Sequence, residues 1–191
     1  MTTAPTDVLR SDPVFATVVD EYGPLTLEPA EDTFQRLVIS VLRQQVSMES
    51  AAATRERLFD SVDVTPDGIL TADETTLQAA GLSAAKTEYV KAIARAYQEH
   101  AYNHAFFAGM SNEAVAEELT EIHGVGPWTA KMFLLFALGR EDVFAVEDLG
   151  IRNGMWELYG DELTRGEMKS IAQAWRPYRS YASLYLWRVS D

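Results

Sequence analysis

The chain has 191 residues, which is long enough to bury a core without metals or disulfides, and it contains no cysteine. The lack of thiols excludes a disulfide framework, a thiolate zinc site, a cysteine nucleophile and a thiolate-held iron–sulfur cluster. Its 29 acidic and 16 basic residues give a formal net charge of −13. By the usual rule this charge argues against a nucleic-acid partner, because Lys and Arg supply most of the non-specific affinity for phosphate.

Two further features bear on where the protein works. The longest uninterrupted apolar run, residues 132–138, has seven residues and is too short to span a membrane. Residues 1–5 carry no basic segment followed by an apolar core, so we expect no secretory signal and a cytoplasmic protein.

The chain before residue 30 holds four of the seven prolines, so we expect part of it to be irregular. A short helix that packs on the rest is predicted there from the apolar spacing of Val14, Phe15, Val18 and Val19. From about residue 33 onward, short helical patterns joined by Gly, Pro and Asp turns follow one another, and no segment alternates in the manner of a strand. The sequence therefore predicts an all-α protein.

Two apolar stripes have the spacing of a buried helical face. The first consists of Phe34, Leu37, Val38, Val41 and Leu42. The next member of this stripe is Gln45 rather than an apolar residue. The second stripe consists of Tyr89, Ala92, Ile93, Ala96 and Tyr97. We expect Ser83 to cap the second helix and Gly81 to end the helix before it.

A glycine-rich turn between two helical patterns is the most specific local feature. Residues 119–130 read Leu-Thr-Glu-Ile-His-Gly-Val-Gly-Pro-Trp-Thr-Ala. Gly124 and Gly126 allow a tight turn with positive φ, and Pro127 is suited to the start of the next helix. Outward-facing N–H groups at such a helix N-terminus can bind a phosphate without any lysine. The alternative at this point is a purely structural connection between two helices.

Asp148 lies at the head of another predicted helix, in the segment Val-Phe-Ala-Val-Glu-Asp-Leu-Gly-Ile-Arg over residues 143–152. An Asp in this position is most often an N-cap, and that alternative stays open beside a functional role.

An aromatic segment covers residues 175–187, where Pro177 is suited to the first turn of a helix. Tyr178, Tyr181 and Tyr185 share one face of that helix, and Leu184 and Trp187 lie on another. A helix with aromatics on two faces is predicted to be wedged between other elements, and core packing is the alternative role for each aromatic taken singly.

These segments, in this order and together with residues 34–47, resemble the helix-hairpin-helix DNA glycosylase superfamily and, within it, the DNA-3-methyladenine glycosylase II family. The resemblance covers roughly residues 30–188. It implies a single all-α glycosylase unit over residues 1–191, built of two helical lobes with the hairpin beside a central cleft. One lobe would comprise roughly residues 35–135 with the hairpin, and the other residues 1–34 with 136–191.

The resemblance also implies roles for individual residues. Gly124 and Gly126, with the amides near Thr129, hold a DNA phosphate, and carbonyls of the hairpin bind a monovalent cation. Asp148 is the catalytic carboxylate, and Gln45 is the wedge that enters the base stack where the target nucleotide is flipped out. The base pocket is lined by Trp128, Trp187, Met132 and Leu149. No other cofactor and no side-chain metal site is expected.

Trp128 stands where bifunctional members of the superfamily carry a lysine, and an indole cannot attack the sugar as an amine does. The resemblance therefore implies a monofunctional base excision repair glycosylase that leaves an abasic site. Its substrate would be double-stranded DNA with alkylated purines such as 3-methyladenine and 7-methylguanine. We expect a monomer with no membrane partner. The alternatives are a non-catalytic helix-hairpin-helix DNA-binding protein and an acidic helical interaction protein.

The charge balance then has a second interpretation. An acidic excess with only four lysines is typical of intracellular proteins that stay soluble in concentrated salt, so we hypothesise a halophilic source. At about 1 M salt the Debye length is about 3 Å, and the net charge repels DNA little beyond contact distance. Binding would then depend on the hairpin amides and on a few arginines such as Arg43 and Arg152.

Overall fold

The computed structural model describes residues 4–190, and within them every regular element is helical and none is a strand. The predicted all-α fold is confirmed. No helix in this part of the chain is long and apolar enough to cross a membrane. The helices are α1 (Pro5–Leu9), α2 (Pro13–Tyr22), α3 (Thr33–Leu42), α4 (Met48–Ser61), α5 (Pro66–Thr71), α6 (Glu74–Ala79), α7 (Ala84–His100), α8 (His104–Phe107), α9 (Asn112–Thr120), α10 (Pro127–Phe136), α11 (Leu149–Tyr159), α12 (Arg165–Ile171) and α13 (Arg179–Ser190), with a short 3-10 helix at Ala172–Trp175.

Helix boundaries largely follow the capping residues in the sequence. The side chain of Ser83 accepts a hydrogen bond from the amide of Lys86 and begins α7, and Gly81 follows α6 with a φ of +107°, both as predicted. The first apolar stripe is buried on α3, and α2 buries three of its four predicted apolar residues. Capping and periodicity therefore place most of the helices correctly.

Three details of the expectation are wrong. α3 ends at Leu42, so Gln45 lies in the turn beyond the helix and does not continue its buried stripe. α13 begins at Arg179, two residues after Pro177, so the proline is not in the first turn of that helix. In α7 the buried face is wider than the predicted stripe and shifted from it, since it consists of Thr87, Val90, Ile93, Ala94, Ala96 and Tyr97.

The described residues form two compact units. The first, called here the hairpin unit, is continuous from Ala30 to Leu138 and contains α3 to α10. The second, called the split unit, consists of the described residues up to Pro29 and those from Gly139 onward, and contains α1, α2 and α11 to α13.

In the hairpin unit, α3 packs against α7 and α10, and α10 also packs against α9. Phe34 of α3 meets Tyr97 of α7 with ring centroids 5.1 Å apart, and Phe133 of α10 meets Phe107 of α8 at 5.2 Å. This apolar core holds α3 and α10 in place, and the candidate site residues of this unit lie just after α3, just before α10 and within α10.

In the split unit, the half-buried carboxylate of Asp12 ties the beginning of the chain to its later helices. Asp12 Oδ1 accepts from the first amides of α2, while Oδ2 accepts from the hydroxyl of Tyr159 at 2.6 Å and the indole nitrogen of Trp175 at 3.1 Å. Burial alone would raise the pKa of Asp12, but these hydrogen bonds outweigh it and hold the pKa below its ordinary value. The ionised carboxylate thus serves as a fixed acceptor for three elements.

α11 and α13 approach each other closely because α11 carries two glycines one helical turn apart, Gly150 and Gly154. A Cβ on Gly154 would lie 2.4 Å from the carbonyl oxygen of Leu186, and one on Gly150 would lie 2.7 Å from Cδ1 of Trp187. Residues four apart share one face of a helix, so both missing side chains face α13.

We predict that Gly154→Ala destabilises the protein, because the methyl group meets the backbone of α13 rather than a flexible side chain. Overpacking of this kind typically costs about 1–3 kcal/mol, and about 1 kcal/mol shifts Tm by about 3 °C in a protein of this size. Thermal unfolding followed by circular dichroism measures the shift.

The matched control is Gly166→Ala on α12, where an added Cβ meets only Thr164 Oγ1, at 3.8 Å. Alanine at an unobstructed helical position raises stability by a few tenths to about 1 kcal/mol. A Tm for Gly154→Ala equal to or above that of the wild type would show that α11 and α13 are not in close contact.

Candidate nucleic-acid interface and catalytic carboxylate

The turn between α9 and α10 requires glycine at only one of its two glycine positions. Gly124 has a φ of +91°, and a Cβ there would lie 2.1 Å from Cγ of Tyr89, whose ring packs directly on the turn. Gly126 has a φ of −98°, which other residues also adopt, and a Cβ there would meet nothing within 4 Å. Gly124 is thus demanded by conformation and packing, whereas Gly126 leaves the space in front of α10 open.

The N-terminus of α10 has backbone donors and no side-chain cap. Gly126 is the N-cap and provides no capping side chain, and Pro127 at the first helical position has no N–H. Thr129 as a whole residue is 1% exposed, and its Oγ1 accepts a hydrogen bond from Nε2 of Gln44 at 2.8 Å. Its backbone amide lies in the first turn, where helix amides lack intrahelical partners, and the phosphate contact of Thr129 stays a prediction.

The hairpin carbonyls have capacity for a further ligand. Ile122 O accepts from the amide of Val125 at 3.0 Å, and Gly124 O accepts from Gln44 Nε2 at 3.0 Å. Each carbonyl oxygen has two lone pairs, so both retain an acceptor site, and the expected monovalent cation stays a prediction.

Gln45 is exposed and lies at the tip of the turn after α3, with a φ of +55° that is unusual for a residue other than glycine. Two apolar side chains beside it are also exposed, Val46 by 43% and Met48 by 64%. The wedge role of Gln45 stays a prediction.

Trp128 and Met132 lie four residues apart on α10 and share one face of that helix. Trp128 is half-buried, and Met132 is 2% exposed. Their predicted place in the base pocket stays a prediction.

Asp148 in the split unit is both an N-cap and a carboxylate with a second partner. Its Oδ1 accepts from the amide of Ile151 at 3.0 Å, which begins α11, and from the indole nitrogen of Trp187 at 2.8 Å. Leu149, the first residue of α11, is 57% exposed. The capping interpretation of Asp148 is confirmed, and capping does not compete with a chemical role, since it fixes the carboxylate in one orientation.

Trp187 reaches Asp148 only because Gly150 lies between them. A Cβ on Gly150 would lie 2.7 Å from Cδ1 of the indole and 3.2 Å from Oδ1 of Asp148. The indole predicted to line the base pocket is therefore also a hydrogen-bond donor to the predicted catalytic carboxylate, a role that sequence reasoning missed.

The loop that leads into Asp148 is held by Arg152. Its Nη1 donates to the carbonyls of Val146 at 3.2 Å and Glu147 at 2.6 Å, and the amide of Asp148 donates to Ala145 O at 2.8 Å. We expected Arg152 to contact DNA, but in the structure its Nη1 has partners within the protein. These partners are backbone carbonyls five and six residues earlier in the chain, and no side-chain pattern in the sequence pointed to them.

Among residues 4–190 no group of three or more His, Asp and Glu side chains has the arrangement of a metal site. His123, in the hairpin turn, is exposed and lies edge-on to the Tyr89 ring at 5.0 Å.

A model of the HhH-GPD superfamily of base excision DNA repair proteins matches residues 38–180. The chain is 32% identical over 187 residues to DNA-3-methyladenine glycosylase 1 of Schizosaccharomyces pombe, covering 91% of this chain and 79% of the relative. Its structure is similar to that of the Schizosaccharomyces pombe 3-methyladenine DNA glycosylase in complex with abasic DNA, with a TM-score of 0.91 and 29% identity over 97% of this chain and 96% of the other. A DNA-3-methyladenine glycosidase from Bacillus halodurans gives a TM-score of 0.83 at 30% identity, over 100% and 91% of the two chains.

The chain belongs to the HhH-GPD superfamily of base excision DNA repair proteins, as the motifs predicted. Within that superfamily it is similar to the DNA-3-methyladenine glycosylases. The chain spans 63% and 65% of the lengths of two Bacillus subtilis relatives.

We predict that Trp187→Phe slows base release from damaged DNA by about 10- to 100-fold, because it removes the donor to Asp148 and keeps an aromatic ring. A hydrogen bond to a charged group contributes about 1.5–3 kcal/mol, and each 1.4 kcal/mol corresponds to a factor of about ten in rate. Single-turnover measurement of free base gives the rate.

The matched control is Trp156→Phe, which removes an indole donor to the carbonyl of Leu163 in the same unit. Its rate of base release should stay within about twofold of wild type, since this donor has no bond to Asp148 and the aromatic ring is kept. Equal rates for the two variants would mean that the Trp187 donor does not matter to the carboxylate.

Proposed function

We propose that this protein is a DNA glycosylase of base excision repair that flips alkylated purines such as 3-methyladenine and 7-methylguanine out of double-stranded DNA and releases them by hydrolysis. The observation that supports this most directly is the carboxylate of Asp148, held by the amide of Ile151 and the indole of Trp187, in a chain similar to 3-methyladenine glycosylases.

A base inside a duplex is inaccessible, so the enzyme extrudes the nucleotide at a cost of a few kcal/mol in unstacking. The exposed Gln45 enters the stack in place of the extruded base. Its exposure and the apolar neighbours Val46 and Met48 support this role.

The amides at the start of α10 hold a backbone phosphate beside the target. The open space in front of Gly126 and the dipole of α10 favour an anion at this point. This contact needs no lysine, which agrees with an acidic chain.

Asp148 stabilises the sugar as the base departs. An N-alkylated purine carries positive charge, which weakens its bond to the sugar and favours stacking on an indole by cation–π attraction. The deoxyribose then develops oxocarbenium character, and a carboxylate about 4 Å away contributes on the order of 4 kcal/mol at an effective dielectric constant near 20. By rate arithmetic this is about a thousandfold acceleration.

Trp128 sets the outcome after the base has left. An indole has no amine to form a covalent adduct with the sugar, so the strand is not cleaved by this route. The product is an intact strand with an abasic site, which defines a monofunctional glycosylase.

We predict that Asp148→Asn lowers release of 3-methyladenine and 7-methylguanine about a thousandfold, because the amide still caps α11 but carries no charge. Alkylated duplex DNA is incubated with the protein, free bases are separated, and the strand is checked for breaks before and after alkali. Breaks should appear only after alkali.

The matched control is Asp73→Asn, which removes the charge from another helix N-cap, that of α6. It should keep wild-type release. Equal release by the Asp148 variant would show that the carboxylate assignment is wrong, and wild-type protein that binds DNA but releases no base would favour the non-catalytic DNA-binding alternative.

The charge of −13 supports a further part of the proposal, that the protein works in the cytoplasm of a halophile. Two of the four lysines are engaged with backbone carbonyls: Lys86 Nζ donates to Leu42 O and Gln44 O, and Lys91 Nζ donates to Ala72 O. Binding of DNA therefore depends on backbone amides and apolar contacts more than on exposed ammonium groups.

We predict that affinity for duplex DNA with an abasic site falls by less than about tenfold between 0.1 M and 1 M KCl, because few phosphate contacts release counterions. A protein that neutralises six to ten phosphates loses about 10³–10⁵ in affinity over a narrower range. Fluorescence anisotropy across the salt series measures this. A loss of affinity as steep as that would contradict the proposal for salt and leave the enzymatic proposal intact.

A further inference from the structure

Gln45 has a backbone conformation that its own residue type does not favour. A φ of +55° is left-handed, and in residues 4–190 only Ala101 shares it among residues other than glycine. Conformations of this kind persist where the surrounding structure holds them, and they concentrate at functional sites. The contacts that hold Gln45 are therefore informative.

Lys86 of α7 holds the peptide group that precedes Gln45. Its Nζ donates to the carbonyl of Gln44 at 3.0 Å and to the carbonyl of Leu42 at 2.8 Å. The Gln44 carbonyl belongs to the peptide plane whose orientation determines φ of Gln45, and the Leu42 carbonyl lies at the end of α3, where carbonyls lack helical partners. One ammonium group thus holds two carbonyls of the segment that leads into Gln45.

The side chain of Gln44 fastens the same turn to the hairpin. Its Nε2 donates to the carbonyl of Gly124 at 3.0 Å and to Oγ1 of Thr129 at 2.8 Å, so one amide group spans the glycine turn and the first turn of α10. The Thr129 side chain is buried, which keeps water from competing for this bond.

α7 supports both parts at once. Lys86 and Tyr89 lie three residues apart on this helix, and the Tyr89 ring packs on Gly124 while Lys86 holds the turn of Gln45. The turn and the hairpin are therefore attached to one rigid element and to each other.

We propose that Lys86 and Gln44 are positioning residues that hold the Gln45 turn at a fixed place relative to the hairpin amides, so that the wedge and the phosphate site act as one preformed unit. The assignment of Gln45 as the wedge rests on the proposed function. The holding of the turn by Lys86 and Gln44 rests on the hydrogen bonds alone.

The test uses Lys86→Met, which keeps an unbranched stem and removes the three donors. Misplacement of a positioning group by about 1 Å can lower a rate about a hundredfold, and we expect at least a tenfold loss of base release from duplex DNA. Release from a target base placed in an unpaired bubble should change less than about twofold, because an unpaired base needs little help to leave the stack. An equal loss on both substrates would overturn the proposal.

The matched control is Lys91→Met, which removes the same charge from the same helix and a hydrogen bond to the carbonyl of Ala72. It should leave the ratio of duplex to bubble rates unchanged. Lys86→Arg, which keeps donors at this position, should restore most of the duplex rate.

A double-mutant cycle separates positioning from general stability. If Lys86 acts through the wedge, Lys86→Met should have little further effect in a Gln45→Ala background, because residues that act through one another are not additive. Losses that multiply independently would overturn the proposal. If Lys86→Met does not fold, Gln44→Met gives the same comparison, because it removes the hydrogen bonds that attach the turn to the hairpin.

Hydrogen exchange tests, without reference to activity, whether Lys86 holds the Gln45 turn. In Lys86→Met, the amides of Arg43 and Gln44, which donate to Ile39 O and Val41 O, should exchange at least about tenfold faster than in wild type, while Lys91→Met leaves them unchanged. Unchanged exchange in Lys86→Met would overturn the proposal. If exchange is faster in Lys86→Met but the wild type releases no base, the holding of the turn by Lys86 is supported and the proposed function is refuted.

Discussion

The close approach of α11 and α13 is the constraint on which the candidate catalytic group depends. Gly150 and Gly154 leave room for the indole of Trp187 and the backbone of Leu186, and the indole then donates to Asp148. The orientation of the Asp148 carboxylate thus depends on the absence of a Cβ at Gly150 and Gly154. Arg152, on the same helix, fixes the carbonyls just before Asp148, so the carboxylate is set by both its helix and its loop.

Several cationic side chains in this acidic chain donate hydrogen bonds to backbone carbonyls. Lys86 and Lys91 donate to carbonyls near the ends of α3 and α5, and Arg57 Nε donates to Ala80 O after α6 at 3.0 Å. Carbonyls at helix C-termini lack partners and carry partial negative charge, so a cation is favourable there. Such contacts stabilise turns locally, and in the proposed function they leave the binding of phosphate to backbone amide groups.

Sequence patterns predicted the elements better than the contacts between them. The stripe of α3 and the Ser83 cap are local regularities, and so was Asp148 as an N-cap. The bond from Trp187 to Asp148 joins residues 39 positions apart, and no spacing rule predicts it. Gln44 and Gln45 are chemically identical neighbours, and only the structure shows that the first binds the hairpin while the second is exposed and has a left-handed φ.

The division of the chain into a continuous and a split unit has a consequence for synthesis. All residues of the hairpin unit leave the ribosome in one uninterrupted stretch, so its core can close while later residues are still being added. The split unit begins earlier in the sequence but completes its packing later. Its helices α2 and α11 pack against α13, which begins only at Arg179. A nascent chain therefore forms the glycine turn between α9 and α10 before the carboxylate of Asp148 is held by Trp187, and it exposes the apolar face of α2 in the interval.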